Sequence, residues 1–297
     1  MKKRFHSLLP IFFVLSLISF PQREAFSQEG KSFLWKVQSK ASTVYMLGSI
    51  HFLKKENYPL SQKIESAFEK SEVLVVEANV QDQSKMNTQA ILEKALYPPD
   101  ESIADHLSPE TYELLKGEAA RLGLPLEVIN RQRPWFLSIT LDAMELMKLG
   151  YDPSYGIDNY FLSKATGRKK ILELEGVDEQ IHLLSHLSDK DQELLLILSL
   201  KDLQNAGLEV NKLVQAWKTG DTTGMEAVIT KSPREDPKLV PIYEKLIYER
   251  NRRMVSKIEG YLRGNGSYFV VVGAGHLIGE QGIVKALEKK GFRVEQF

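Results

Sequence analysis

Short, wholly apolar runs that end abruptly at a polar or glycine position are the most regular feature of this chain. Val73-Leu74-Val75-Val76 stops at Glu77, and Phe269-Val270-Val271-Val272 stops at Gly273. A strand with one face in water would show a polar residue at every second position, so these runs predict strands covered on both faces. Residues 33–38 and 43–47 predict two further strands, joined by Ser39-Lys40-Ala41-Ser42 in a hairpin pattern. Residues 170–174 predict a strand closed by Glu175-Gly176, and residues 292–297 a last one.

Between the strands the period turns helical. Ile64 and Phe68 share one face over residues 61–70, and Ser108-Pro109-Glu110 reads as a cap and first turn, with Gly123 as the stop signal. Residues 135–149 predict a largely apolar helix. Gly150-Tyr151-Asp152-Pro153-Ser154-Tyr155-Gly156-Ile157-Asp158 predicts a turn that opens a helix through residue 165. Residues 178–262 are mostly helical, with a break near Ser232-Pro233-Arg234-Glu235-Asp236-Pro237, and residues 281–290 form another helix. The order strand, Gly-x-x-His, helix, strand occurs at both ends of this region. The expected fold is therefore α/β, a mixed central sheet built from two β-turn-α-β repeats with a large helical insertion between them, in one domain over residues 28–297.

The N-terminus changes the picture of where the protein works. Lys2-Lys3-Arg4, the apolar run 8–20 and Ala25-Phe26-Ser27 match the charged, apolar and small-residue regions of a secretory signal, cleaved after Ser27. The run is too short for a mature span, which needs about 20 residues. Export to the periplasm or beyond is expected, with no stable membrane span after processing; the competing reading is an uncleaved interfacial anchor. Removing residues 1–27 takes away four basic residues and one acidic, leaving 35 against 38 and a net charge of −3. A nearly neutral chain without a basic run gives no electrostatic case for nucleic acid. With no cysteine, disulfides, thiolate metal sites and thiol nucleophiles are excluded.

Histidine, aspartate and glutamate are left to carry any chemistry. His51 and His276 each follow a glycine by three residues at the end of a predicted strand, where a missing Cβ lets the chain turn sharply and brings backbone N–H groups near a ligand. Glu77 is the natural third member. Two imidazoles and a carboxylate make an open site suited to a divalent ion that activates water, or, without metal, a general base, a general acid and an orienting carboxylate. The bland reading of Glu77 is a surface acid at a strand end. Asp158 is a rim candidate that reads equally well as a helix cap. Glu173 and Glu175 flank Leu174, so both point away from it and at least one is expected to be merely solvated. Glu249-Arg250-Asn251-Arg252-Arg253 supplies either a cation for an anionic group or a solvated helix face.

Other patterns are set aside. His182 and His186 have the spacing of a zinc-protease helix, but Leu183 stands where its general base belongs. His106 is expected at the surface. Gly273, Gly275 and Gly279 misplace the third glycine of a dinucleotide fingerprint, and Glu295 leaves no room for the rest of that unit.

Tyr45-Met46-Leu47-Gly48-Ser49-Ile50-His51, Val75-Val76-Glu77, Gly156-Ile157-Asp158, Leu174-Glu175, Glu249-Arg250-Asn251 and Val271-Val272-Gly273-Ala274-Gly275-His276-Leu277-Ile278-Gly279 together resemble the TraB/GumN family. That family is related to the Tiki proteins and more distantly to the erythromycin-esterase-like and ChaN-like groups. The resemblance implies an α/β core with paired repeats and, for the Tiki branch, metal-dependent protease activity with manganese, cobalt or zinc. It implies His51, Glu77 and His276 as the metal-binding or catalytic core, with Arg250 and Asn251 lining the site; Asp158 and Glu175 stay as rim candidates on the reading of the residues themselves. Tiki proteins are membrane-tethered and animal, whereas this chain looks bacterial and soluble after processing. The TraB branch is linked to restraining peptide pheromones, which fits cleavage or capture. The expected function is an exported, peptidase-like, metal-dependent hydrolase in which Arg250 stabilises developing charge. Its partner is a peptide or small molecule. The alternative is a binding protein that sequesters a peptide or a haem-like ligand.

Overall fold

The computed structural model describes residues 30–82, 84 and 86–297, so the expected signal sequence at 1–27 lies outside the described residues. Six strands form one mixed sheet: β1 (Leu34–Gln38), β2 (Ser42–Ser49), β3 (Val73–Val76), β4 (Lys170–Glu173), β5 (Gly266–Gly273) and β6 (Arg293–Gln296). Their order is β4-β3-β5-β2-β1-β6. Neighbours β4, β3, β5 and β2 run parallel, while β1 lies antiparallel between β2 and β6.

The wholly apolar runs occupy the interior of this sheet, as their composition requires. Leu74, Val75 and Val76 of β3 and Phe269, Val270, Val271 and Val272 of β5 are all buried. Full burial of each such side chain is worth about 1.5–3 kcal/mol. Both β-turn-α-β repeats are present, through the helices Gln62–Lys70 and Ile283–Lys289. Neither repeat pairs its own two strands: β5 stands between β2 and β3, and β2 and β1 stand between β5 and β6. The leading strands β2 and β5 are therefore side by side, with Ser49 opposite Gly273. Two turns far apart in sequence leave one edge of the sheet next to each other.

The insertions between β3 and β4 and between β4 and β5 are helical and build a second core. Leu115, Ala119, Leu137, Leu141, Leu196 and Leu200 pack together from the helices Pro109–Leu122, Pro134–Lys148 and Asp189–Asp202. Ser108 caps the first of these and Gly123 ends it at φ 72°, both at the expected positions. The break expected near 232–237 is narrower, because Lys231–Glu235 is itself helical and Asp236 caps the next turn. Phe68, Phe161 and Phe269 meet with ring centroids 4.8–5.5 Å apart. Each such pair adds about 0.5–1.5 kcal/mol beyond its burial. That cluster fixes the helix Ile157–Ala165 on the sheet, with its first turn at the strand ends. Among the described residues no helix is long and apolar enough to cross a membrane.

Candidate active site

Because β2, β3, β4 and β5 are parallel, their C-terminal ends share one edge, where open α/β sheets build their sites. His51 follows β2, Glu77 follows β3, Glu175 follows β4 and His276 follows β5. The glycines of the two turns serve by their lack of bulk. Neither has a positive φ. A Cβ on Gly48 would collide with the Phe33 ring, and one on Gly273 would sit 3.1 Å from Glu77 Oε1 and 3.4 Å from His276 Cδ2. Close approach, and not an unusual turn, is what a side chain would meet at these two positions: a collision at Gly48 and a tight contact at Gly273.

Each imidazole is tied back through Nδ1. His276 is buried in the short helix Ala274–Leu277, and its Nδ1 lies 2.6 Å from Asn251 Oδ1. Asn251 donates its Nδ2 to the Gln281 carbonyl at 2.9 Å, which turns its oxygen toward the ring, so Nδ1 carries the proton. Burial pushes the His276 pKa down to about 4, leaving the ring neutral with a bare Nε2. That nitrogen faces Glu77 Oε1 at 3.9 Å.

His51 has the same arrangement with a different partner. Its Nδ1 lies 2.7 Å from Asp158 Oδ2, which also accepts the Ser49 hydroxyl. Asp158 sits in the first turn of its helix, so it is not the cap, and Gly156 takes that place. The Asp158 charge lifts the His51 pKa to about 9 against the opposing cost of burial. With the His51 side chain 63% exposed, solvent screens part of that attraction. Burial alone would raise the Asp158 carboxyl, but the His51 charge and the two hydrogen bonds hold it below the ordinary carboxylate range.

Glu77 is the hub. Its Oε1 accepts the Gly273 N–H at 2.5 Å, and its Oε2 accepts Arg250 Nη2 at 2.6 Å and Gln180 Nε2 at 3.2 Å. Burial pushes its carboxyl up, but the Arg250 and His51 charges and the Gly273 N–H outweigh this and hold it low. Glu77 is thus a buried, anchored anion and not a surface acid.

Arg250 departs from expectation. Its Nε and Nη2 bind Glu175, Nη2 also binds Glu77, and Nη1 donates to the Leu246 carbonyl at 3.0 Å. Most of its fork is occupied by two buried carboxylates, so it orients Glu77 and is poorly placed to meet developing charge. Glu175, expected only at the rim, is buried and central to this arrangement, while Glu173 accepts the Asn79 N–H. Residue 175 lies beyond the end of β4, where strand alternation no longer governs direction. Gln180, which bridges Glu77 and Glu175, carries no sequence signal at all. His106 is packed and not free at the surface, stacked on Tyr97 at 4.0 Å and bonded to Glu101. His182 and His186 touch each other and, among the described residues, form no hydrogen bond or ion pair with His51, Glu77 or His276, though His182 lines the neighbouring cavity.

Among the described residues, no three His, Asp or Glu side chains are gathered as a ready metal cage. The donor chemistry nevertheless suits a divalent ion. A bare imidazole nitrogen and a carboxylate oxygen face each other at 3.9 Å with no donor between them, and His51 Nε2 would lie 3.9 Å from a Cβ at Gly273. Tying Nδ1 to an oxygen acceptor while Nε2 stays open is how proteins orient histidine ligands.

The TraB/PrgY/gumN family model matches residues 33–296. The chain is 27% identical to the protein YbaP of Escherichia coli over 244 residues, which is 82% of this chain and 87% of that protein. It is 24% identical to the metalloprotease TIKI2 of Xenopus tropicalis over 321 residues, covering 91% of this chain and 60% of that protein. Human metalloprotease TIKI1 is 21% identical, with 90% of this chain and 62% of that protein covered. No solved structure matches.

Proposed function

The chain belongs to the TraB/PrgY/gumN family, and on that premise we propose that it is an exported, metal-dependent hydrolase acting on peptides. One observation carries the reading: His51, Glu77 and His276 leave three parallel strands at one edge, and both imidazoles are tied back through Nδ1. His51 Nε2, Glu77 Oε1 and His276 Nε2 would hold the ion, which supplies Lewis acidity for the carbonyl and its attacking water. His51 must give up its Nε2 proton before it can serve as a ligand, so loading releases acid. Asn251 and Asp158 orient the two imidazoles, and Arg250 and Gln180 fix the Glu77 carboxylate. Metal content and peptide hydrolysis of protein purified without added metal, compared with His51→Ala and His276→Ala, test this. Loss of both metal and at least about 100-fold of activity is expected in each variant; full activity in both refutes the assignment. Export is checked by fractionation and N-terminal sequencing, with Gln28 expected as the first residue.

The occupancy of Arg250 favours a second reading, capture of a peptide without turnover, because the cation expected to stabilise an oxyanion is engaged elsewhere. Binding of an added peptide without product formation would select it. A haem-like ligand fits less well, since His276 Nε2 faces a carboxylate in place of a broad apolar slot.

A further inference from the structure

A cavity of about 720 Å³ lies beside the site, walled by the helices Thr88–Ala95, Val177–Ser185 and Glu249–Arg263. Its connection to the strand ends is direct. Arg253 lines it and stands 3.5 Å from Glu175, the carboxylate that grips Arg250. Lys257 lines it too and donates to the carbonyl of Leu174 at 2.6 Å. Positions 250, 253 and 257 are three and then four residues apart, which puts them on one face of their helix. At 1.5 Å per residue, Lys257 stands about 10 Å along the axis from Arg250. A row of cations therefore starts beside Glu77 and ends in the cavity.

Lys94 adds a third cation from another wall, half-buried and without an ion pair among the described residues. Asp178 and Glu179 also line the space, but both sit in the first turn of their helix, where unsatisfied backbone N–H groups favour acids. Lys94 likewise stands in the last turn of its helix, where free carbonyls favour a cation, but it lines the cavity with no acidic partner of its own among the described residues.

Building on the hydrolase reading, we infer that this cavity is the subsite for a carboxylate of an oligopeptide substrate, held by Lys94, Arg253 and Lys257. The reach from Arg250 to Lys257 corresponds to about three residues of extended peptide. The carboxylate is either the peptide's C-terminus or an acidic side chain near it, and the recognising chemistry is the same.

Calorimetric titration of the processed chain with acetyl-tetra-alanine, its C-terminal amide, and acetyl-Ala-Ala-Ala-Asp amide tests the inference. At least one carboxylate peptide should bind about tenfold more tightly than the uncharged amide, the scale of one charge-assisted hydrogen bond. Preference for the first identifies the chain terminus as the source, and preference for the third identifies a side chain. Lys94→Gln and Lys257→Gln, checked for unchanged melting, should each reduce the preference. Equal binding of all three peptides, no binding, or a preference that survives both substitutions overturns the inference. Product analysis of the same mixtures separates the two readings. Preference without cleavage removes the hydrolase reading alone, and cleavage without preference removes the subsite alone.

Discussion

Replacing Arg250 by alanine should destabilise the fold far more than loss of a surface charge. The side chain is 12% exposed, and its carboxylate partners Glu77 and Glu175 are 9% and 3% exposed. Both partner oxygens lie within 2.7 Å of the same Nη2 nitrogen, so deleting the guanidinium leaves two buried anions facing each other. Gln180 can neutralise neither. Breaking a buried pair in this way costs about 3–5 kcal/mol. At roughly 2–3 °C per kcal/mol for a domain of this size, melting should fall by about 6–15 °C at pH 7. Arg250→Lys should fall between, because one ammonium cannot reproduce the planar fork. Acid should narrow the gap. The wild-type Glu77 carboxyl is held low, so its contribution is present above the ordinary carboxylate pKa and is lost as pH falls. In the variant, burial without its cation raises the Glu77 carboxyl, so protonation relieves it. Thermal unfolding by circular dichroism at pH 7 and pH 5 measures both effects. A variant melting within about 1 °C of wild type at pH 7 would refute the reasoning.

Other perturbations follow from the same geometry. Asp158→Asn should lower the His51 pKa from about 9 toward 6.5, as read by NMR titration, and reduce activity about 10–100-fold; an unmoved titration contradicts the assigned partner. Gly273→Ala places a Cβ 3.1 Å from Glu77 Oε1 and should cut activity about tenfold or more while costing under about 1 kcal/mol of stability; unaltered turnover would show that Glu77 can move freely. Glu193 accepts the Ser108 N–H at 2.9 Å and its hydroxyl at 2.6 Å. Burial opposes ionisation there, but these bonds hold the carboxyl below 4.5, so its stabilisation is present above that pH and is lost on acidification. Glu193→Gln should therefore cost about 1–2 kcal/mol at pH 7 and progressively less in acid, measured by urea unfolding; a pH-independent difference counts against the bond.

The strands and their ends are legible in the sequence because burial on both faces leaves an unmistakable composition, as in β3 and β5. The repeated glycine-to-histidine spacing leads to the two turns. Strand order is not legible, since a crossover helix does not reveal which neighbour its second strand will choose, and only the assembled sheet sets β2 beside β5. The sequence points to Arg250 but not to its role, because the number of carboxylates around a cation is a property of tertiary structure. Gln180 escapes notice for a related reason. An amide on a helix has no distinctive spacing, and its value here comes from bridging two acids brought in by different strands.

The ties on the two imidazoles come from different stretches of chain. Asp158 belongs to the segment between β3 and β4, and Asn251 to the segment between β4 and β5. The turns after β2 and β5 carry the imidazoles, and the intervening helices supply the acceptor that each Nδ1 meets. Exchanging inserted helices above an unaltered sheet would thus change both ties while leaving the imidazoles in place. A chain caught midway through folding, with its strands paired but those helices undocked, would hold both imidazoles with neither tie in place.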